Sequence, residues 1–244
     1  MHILGQLGGA AFILMSLVIG ARLSLLWLRT RQLPELLIGG GMLLLAGVGY
    51  PISAVARELP DLAEGVRASL GAIAGVAGAL GLIASSSFTW LLFRRGVAWA
   101  NALLGALAAG ALGVLVAESL AGSWARGGAL FWGWLPFGIS VCYGWAFLEC
   151  ARYHRMLRRR LAIGLADPVV TDRFRLYAAA TLLALVVNVV GQVFWWRGVE
   201  MLTDPVGSLL LAVLGAGSSV LMCLAFLPPR AYLERVRLRA GAAA

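Results

Sequence analysis

The chain has 244 residues, a formal net charge of +9 and a hydrophobic fraction of 61%, with a mean hydropathy of +0.89. Soluble globular domains are about 45–50% apolar, so this composition excludes an ordinary soluble domain. Every basic residue other than the two histidines is an arginine, and we assign this charge to membrane orientation and lipid contact rather than to nucleic acid.

Seven long apolar runs follow one another along the chain. At 1.5 Å per residue, a run of about 20 residues crosses a hydrocarbon core of about 30 Å as a helix. The runs are 3–28, 34–56, 68–93, 97–120, 130–151, 176–196 and 205–227. We therefore predict a single all-α transmembrane domain of seven helices over residues 1–228, followed by a basic tail over residues 229–244.

The arginines are distributed unevenly over the gaps between these runs. Fifteen of the twenty lie in the first, third and fifth gaps and in the tail, whereas four lie in the even-numbered gaps. Cytoplasmic loops carry the excess of basic residues in membrane proteins. This bias predicts an N-terminus outside the membrane and a C-terminus in the cytoplasm.

Small residues recur at helical spacing in the third and fourth runs. Such residues allow helix backbones to approach closely in lipid, where apolar burial alone does not drive association. The residues are Gly71, Gly75, Gly78 and Gly81 in the third run, and Gly105, Ala109 and Gly113 in the fourth. The pattern indicates close packing inside one bundle, and the same surfaces can also pair two subunits.

The tail after Pro228-Pro229 predicts a short amphipathic helix. Tyr232, Leu233 and Val236 share one face of such a helix, and Arg235 and Arg239 lie on the other. Basic amphipathic helices of this kind lie on the membrane surface. We therefore expect the tail on the inner leaflet.

Polar residues in the outer halves of the runs are the candidate ligand-binding residues. Asn188 and Gln192 are four residues apart in the sixth run and therefore share a helix face. Burying polar groups in lipid is costly, so they either line a pocket open to the outside or form hydrogen bonds between helices. The full candidate set is Asn188, Gln192, Tyr50, Glu118, Gln6 and Ser208.

The fifth gap, residues 152–175, carries the largest group of arginines. Its first part is expected to continue the fifth helix beyond the bilayer, where arginines contact lipid phosphates or dock an intracellular protein. The candidate residues for lipid or partner binding are Arg152, Arg155, Arg158, Arg159 and Arg160.

The sequence contains no recognisable catalytic motif, neither an HExxH zinc motif nor a GxSxG nucleophile motif. The two histidines, His2 and His154, are predicted on opposite sides of the membrane, and they cannot share one metal or haem. We therefore expect no enzymatic activity, no catalytic residue, no metal and no cofactor.

Seven helices with an external N-terminus resemble the topology of rhodopsins and rhodopsin-like receptors. Microbial rhodopsins bind retinal through a lysine, and this chain has no lysine, so covalent retinal is excluded. The stretch 29–35 (RTRQLPE) followed by 47–51 (GVGYP) resembles uncharacterised seven-helix membrane proteins of proteobacteria. That resemblance implies a location in the bacterial inner membrane and implies no function.

The leading functional hypothesis is a membrane sensor or receptor. An outward pocket binds a small ligand, and the arginine-rich inner face passes the change to a membrane or cytoplasmic protein. The alternatives are a small transporter or channel, and an accessory subunit of a larger membrane complex. The first and last three runs share no matching motif that indicates the internal repeat of many transporters.

Overall fold

The structure, a computed structural model, describes residues 2–59, 62–199, 201 and 203–241, and the side chains of residues 8–56, 59, 62–199, 201 and 203–238. The described residues form helices and connecting turns, with no strand among them. The α-helices are α1 (His2–Thr30), α2 (Leu33–Met42), α3 (Tyr50–Glu58), α4 (Glu64–Phe93), α5 (Ala98–Leu120), α6 (Ala129–Leu161), α7 (Pro168–Trp196), α8 (Pro205–Phe226) and α9 (Arg230–Gly241).

Six helical segments of the described chain are long and apolar enough to cross a membrane. They are Gly8–Thr30, Leu33–Ala56, Glu64–Phe93, Ala98–Leu120, Pro168–Trp196 and Pro205–Phe226. They correspond to six of the seven predicted runs, and the chain is accordingly an integral membrane protein in its architecture. The remaining run, the fifth, is helical within α6, but Trp132, Trp134, Trp145 and Pro136 lower its mean hydropathy, so its crossing of the membrane stays a prediction.

The second span is interrupted by a π-helical segment, Leu43–Gly49, between α2 and α3. The amide of Tyr50 donates to the carbonyl of Leu45, five residues earlier. The next residue, Pro51, has no N–H, and its ring excludes the usual i−4 carbonyl contact. The helix therefore accommodates Pro51 by a wider turn on the N-terminal side of the proline.

The chain divides into two compact units, Ser16–Cys142, and Met1–Met15 with Tyr143–Ala244. In the first unit, glycines of α4 allow its backbone to lie directly against the second span. A Cβ at Gly81 would lie 2.6 Å from the backbone nitrogen of Leu45, and one at Gly49 would lie 3.2 Å from that of Gly78. The close packing predicted for the third run is therefore confirmed.

The buried core of the first unit is built around aromatic side chains. Phe131 is fully buried, and its ring centroid lies 5.7 Å from that of Trp124. The Trp124 ring covers Gly71 and Gly75 of α4. The members of this core are Ala79, Leu82, Ala111, Trp124, Phe131, Leu135 and Cys142.

Small residues of α5 have a different environment. Gly105 and Gly113 have no atom within 4 Å of the position that a Cβ would take, and Ala109 between them is exposed. The small-residue face predicted in the fourth run is therefore on the outside of the first unit.

In the second unit, α7 and α8 form an antiparallel hairpin. The Ser218 hydroxyl donates to the carbonyl of Ala180 at 3.1 Å, which fixes the register of the two helices. The N-terminal part of α1 packs on α8, where a Cβ at Gly8 would lie 2.5 Å from the Cα of Ala212. The predicted tail helix is confirmed as α9, which contacts α7.

Candidate functional site

The polar residues of α7 lie on the side of the helix that faces protein. Thr181 is fully buried, and Asn188 and Gln192, at compatible helical spacing, are half-buried on the same side. A second side of α7 is apolar and exposed. Its exposed residues in this part of the helix are Leu182, Val186, Val189 and Val193. The polar stripe predicted from the sequence therefore faces inward rather than towards lipid.

The hydrogen bonds of this stripe run along the helix itself. The Asn188 side-chain amide donates to the carbonyl of Ala184 at 3.0 Å, and that of Gln192 donates to the carbonyl of Asn188 at 3.4 Å. Among the described residues, no donor reaches the Asn188 amide oxygen. The Asn188 side chain is partly accessible and its amide oxygen can still accept a hydrogen bond. Such a group can bind a ligand that donates a hydrogen bond.

Ser208 lies in the first turn of α8, beside the C-terminal end of α7. It is buried, and its hydroxyl donates to the carbonyl of Pro205 at 3.1 Å. Met201, in the connection between the helices, packs over Gly191 and Gly207. The structure therefore places Asn188, Gln192 and Ser208 on two neighbouring helices. The Gln6 side chain lies outside the described residues, although its helix packs on α8 through Gly8.

The other two candidates, Tyr50 and Glu118, belong to the first unit. Tyr50 is 44% exposed, and its carbonyl accepts a hydrogen bond from the Ser53 hydroxyl at 2.8 Å. Glu118 is buried at the C-terminal end of α5.

Partners within the protein account for the buried Glu118 carboxylate. It accepts hydrogen bonds from the Ser123 hydroxyl and, at 3.2 Å, from the backbone N–H of Phe131 in the first turn of α6. A carboxylate at the positive end of a helix satisfies an N–H that has no partner within that helix. Glu118 thus ties the end of α5 to the start of α6 without any ligand.

At the end of the second unit that holds the α6–α7 connection, α6 and α7 extend beyond the predicted apolar runs, to Leu161 and back to Pro168. Two contacts hold these extensions together. The rings of Tyr153 and Phe174 lie edge to face at 4.6 Å, and His154 Nδ1 lies 2.9 Å from the carbonyl of Thr171. The predicted continuation of the fifth helix is confirmed.

The five candidate arginines of α6 are exposed along this extension. Arg152 lies 3.7 Å from the buried Glu149 carboxylate. The other four, Arg155, Arg158, Arg159 and Arg160, have no ion-pair partner among the described residues. Most of this charge is therefore available to a group outside the protein.

The sequence did not reveal the contact that anchors α9. The Tyr232 hydroxyl donates to the Asp172 carboxylate, which also pairs with Arg175 at 2.6 Å. Burial, followed by the hydrogen bond and the negative charge of Asp172, raises the pKa of Tyr232 above its ordinary value. Tyr232, Leu233 and Val236 are half-buried as predicted for one face, and Tyr232 turns this face towards α7.

Comparison with protein-family models, with curated proteins and with solved structures finds no match to this chain. The resemblance to proteobacterial seven-helix proteins therefore stays a prediction. The described residues contain no group of three or more His, Cys, Asp or Glu side chains that could hold a metal ion.

Proposed function

We propose that the protein spans the bacterial inner membrane seven times, with its N-terminus outside, and that α6 supplies the span missing from the six apolar segments. The exposed apolar residues of α6 support this assignment. Leu130, Phe137 and Leu148 are more than half exposed, and spacings of 7 and 11 residues place them on one helix face. This face extends for about 27 Å at 1.5 Å per residue, close to the thickness of a hydrocarbon core.

Cysteine labelling at two exposed positions on either side of α6 tests this topology. Leu120 is 85% exposed before α6, and Ile163 is 68% exposed after it. Cys142 and Cys150 are buried, so a Cys223→Ser background suits Leu120→Cys and Ile163→Cys variants. We expect a membrane-impermeant maleimide to label residue 120 in intact cells and residue 163 only after permeabilisation. Labelling of both from the same side would contradict a crossing by α6.

We further propose that the protein is a membrane sensor that binds a small ligand from the outer side. The inward, half-buried polar face of α7 with its spare amide acceptor is the observation that carries this proposal. The same helix continues without glycine or proline from Val190 to Asp172, where it holds α9. A ligand at Asn188 and Gln192 therefore acts on a helix whose other end lies at the arginine-rich inner face.

Native mass spectrometry of protein extracted gently from its own membrane tests the sensor proposal. We expect a discrete small-molecule adduct that is lost in Asn188→Leu and Gln192→Leu variants. Val189→Leu and Val193→Leu, at the same depth on the exposed face of α7, are the matched controls and should retain the adduct. An adduct that survives in all four variants would place the ligand elsewhere.

One observation favours a second candidate function, an accessory subunit of a membrane complex. The exposed face of Gly105, Ala109 and Gly113 on α5 is of the type that packs closely against another transmembrane helix. Stoichiometric copurification of a larger membrane protein, lost in a Gly105→Leu variant, would support this function over a free-standing sensor.

A further inference from the structure

Exposed apolar residues in the N-terminal part of α6 and arginines near its C-terminal end lie on the same side of the helix. Positions 130, 137 and 148 share one helix face, and at 100° per residue three of the arginines continue the same face. From Leu130 to Arg159 the exposed residues on this face are Leu130, Phe137, Leu148, Arg152, Arg155 and Arg159. Arg158 and Arg160 lie to either side of it.

The depths of these arginines match the polar layer of a bilayer. With Leu148 at the edge of the hydrocarbon, Arg152 lies about 6 Å and Arg155 about 10 Å further along the axis at 1.5 Å per residue. The headgroup layer on each side of the core is about 5–8 Å thick. Because arginine side chains extend towards the interface, both guanidinium groups reach the level of the lipid phosphates.

These guanidinium groups keep most of their donors free for a ligand. Arg152 is 61% exposed in its side chain and meets Glu149 at 3.7 Å, longer than a good hydrogen bond. Arg155 has no hydrogen-bond or ion-pair partner among the described residues. A guanidinium group presents five N–H donors in a planar fork that matches the geometry of a phosphate.

We propose that Arg152 and Arg155 bind the phosphodiester of an anionic phospholipid in the cytoplasmic leaflet. The inference rests on the proposed crossing and orientation of α6. A lipid fits this face better than a protein partner, because the same face is apolar and exposed along the span. A soluble partner would have to reach Arg152 through the headgroup layer.

The test is a titration of the purified full-length protein in detergent with dioleoylphosphatidylglycerol, followed by native mass spectrometry. Dioleoylphosphatidylcholine, which is zwitterionic, is the parallel lipid. We expect Arg155→Gln to weaken the affinity for phosphatidylglycerol about fivefold, the effect of one basic residue near an anionic surface, and to leave the affinity for phosphatidylcholine unchanged. Arg158→Gln removes the same charge about one turn further along and to the side of this face, and should lower the affinity for phosphatidylglycerol less than Arg155→Gln does.

Three results would overturn the proposal. One is equal affinity of the wild-type protein for the two lipids. Another is an equal loss in Arg155→Gln and Arg158→Gln, which would indicate a diffuse field rather than a site. The third is a copurifying protein that is lost in Arg155→Gln while phosphatidylglycerol binding persists, which would assign the face to a protein partner.

The lipid titration and the cysteine labelling test the phosphate site and the proposed topology independently. Selective lipid binding in detergent reports on the arginines alone, whereas labelling at residue 163 reports on orientation. Selective binding together with external labelling at residue 163 would retain the phosphate site and reject the orientation. Arg155→Lys keeps the charge but loses the planar fork, so we expect it to retain more of the selectivity than Arg155→Gln.

Discussion

Substitution of Gly81 by alanine tests the close packing of α4 against the second span. The added Cβ would lie 2.6 Å from the nitrogen and 2.9 Å from the Cα of Leu45. Both atoms belong to the backbone, so no side-chain rotation relieves the contact, and the two helices must move apart. Overpacking of this kind costs about 1–3 kcal/mol.

Gly105→Ala is the matched control for this substitution. Both glycines lie inside long transmembrane helices, but at Gly105 nothing lies within 4 Å of the new Cβ. Alanine exceeds glycine in helix propensity by about 1 kcal/mol, and both variants receive this benefit. The difference between them therefore isolates the packing penalty at Gly81.

Thermal unfolding in a mild detergent, followed with a thiol-reactive fluorophore, measures this difference. Cys142 and Cys150 are buried and become reactive when the helices separate. A change of 1 kcal/mol shifts Tm by about 2–4 °C in a chain of this size, so we expect Gly81→Ala to melt about 2–12 °C below Gly105→Ala. Equal or higher Tm for Gly81→Ala would refute the backbone contact between α4 and Leu45.

Three further predictions concern polar contacts. Glu118→Leu leaves the Phe131 N–H without its acceptor and should cost about 1–3 kcal/mol in the same thermal assay, whereas Glu118→Gln, which keeps an acceptor, should cost less. Asp204→Ala removes the N-cap of α8, which accepts from Gly207 N–H at 2.8 Å, and should cost about 1 kcal/mol. Tyr232→Phe should increase hydrogen exchange in α9. Contact of α9 with α7 raises the pKa of Tyr232, so this contact is fully stable below the ordinary value of 10.0 and weakens as the pH rises through the raised pKa. The hydrogen-exchange rate of α9 should therefore rise over this pH range in the wild-type protein. It should not rise over the same range in Tyr232→Phe.

Local sequence signals predicted the helices well, because apolar length and helical spacing are properties of a short window. They also predicted the half-buried face of α9 from Tyr232, Leu233 and Val236. The start of α7 at Pro168 was missed, since apolar length detects only the part of a helix that lies in lipid. The sequence does contain a signal for this start, an aspartate followed by a proline. Asp167 caps α7 by accepting a hydrogen bond from the Val169 N–H at 2.7 Å, and Pro168 is the first residue of the helix.

The sequence predicted which candidate polar residues share one helix face. It did not predict contacts between residues that are far apart in the chain. The spacing of Asn188 and Gln192 was enough to place both on one face, and the structure shows that this face is the inward one. The partners of Glu118 lie across a turn, 5 and 13 residues further along the chain. Asp172 and Tyr232 are separated by 60 residues, and no local pattern indicates that they meet.

The continuity of α7 limits how a sensor of this design can work. Asn188 and Asp172 lie on one helix, about 24 Å apart at 1.5 Å per residue. The hydroxyl of Thr181 between them is satisfied by the carbonyls of Tyr177 and Ala178, so this stretch offers no loose polar group around which the helix could unwind. In a sensor of the proposed kind, a ligand at Asn188 would influence α9 by tilting, rotating or shifting α7 as one body. While the Ser218 hydroxyl stays bonded to the Ala180 carbonyl, α8 moves with α7, so in such a sensor the α7–α8 hairpin would move as one unit.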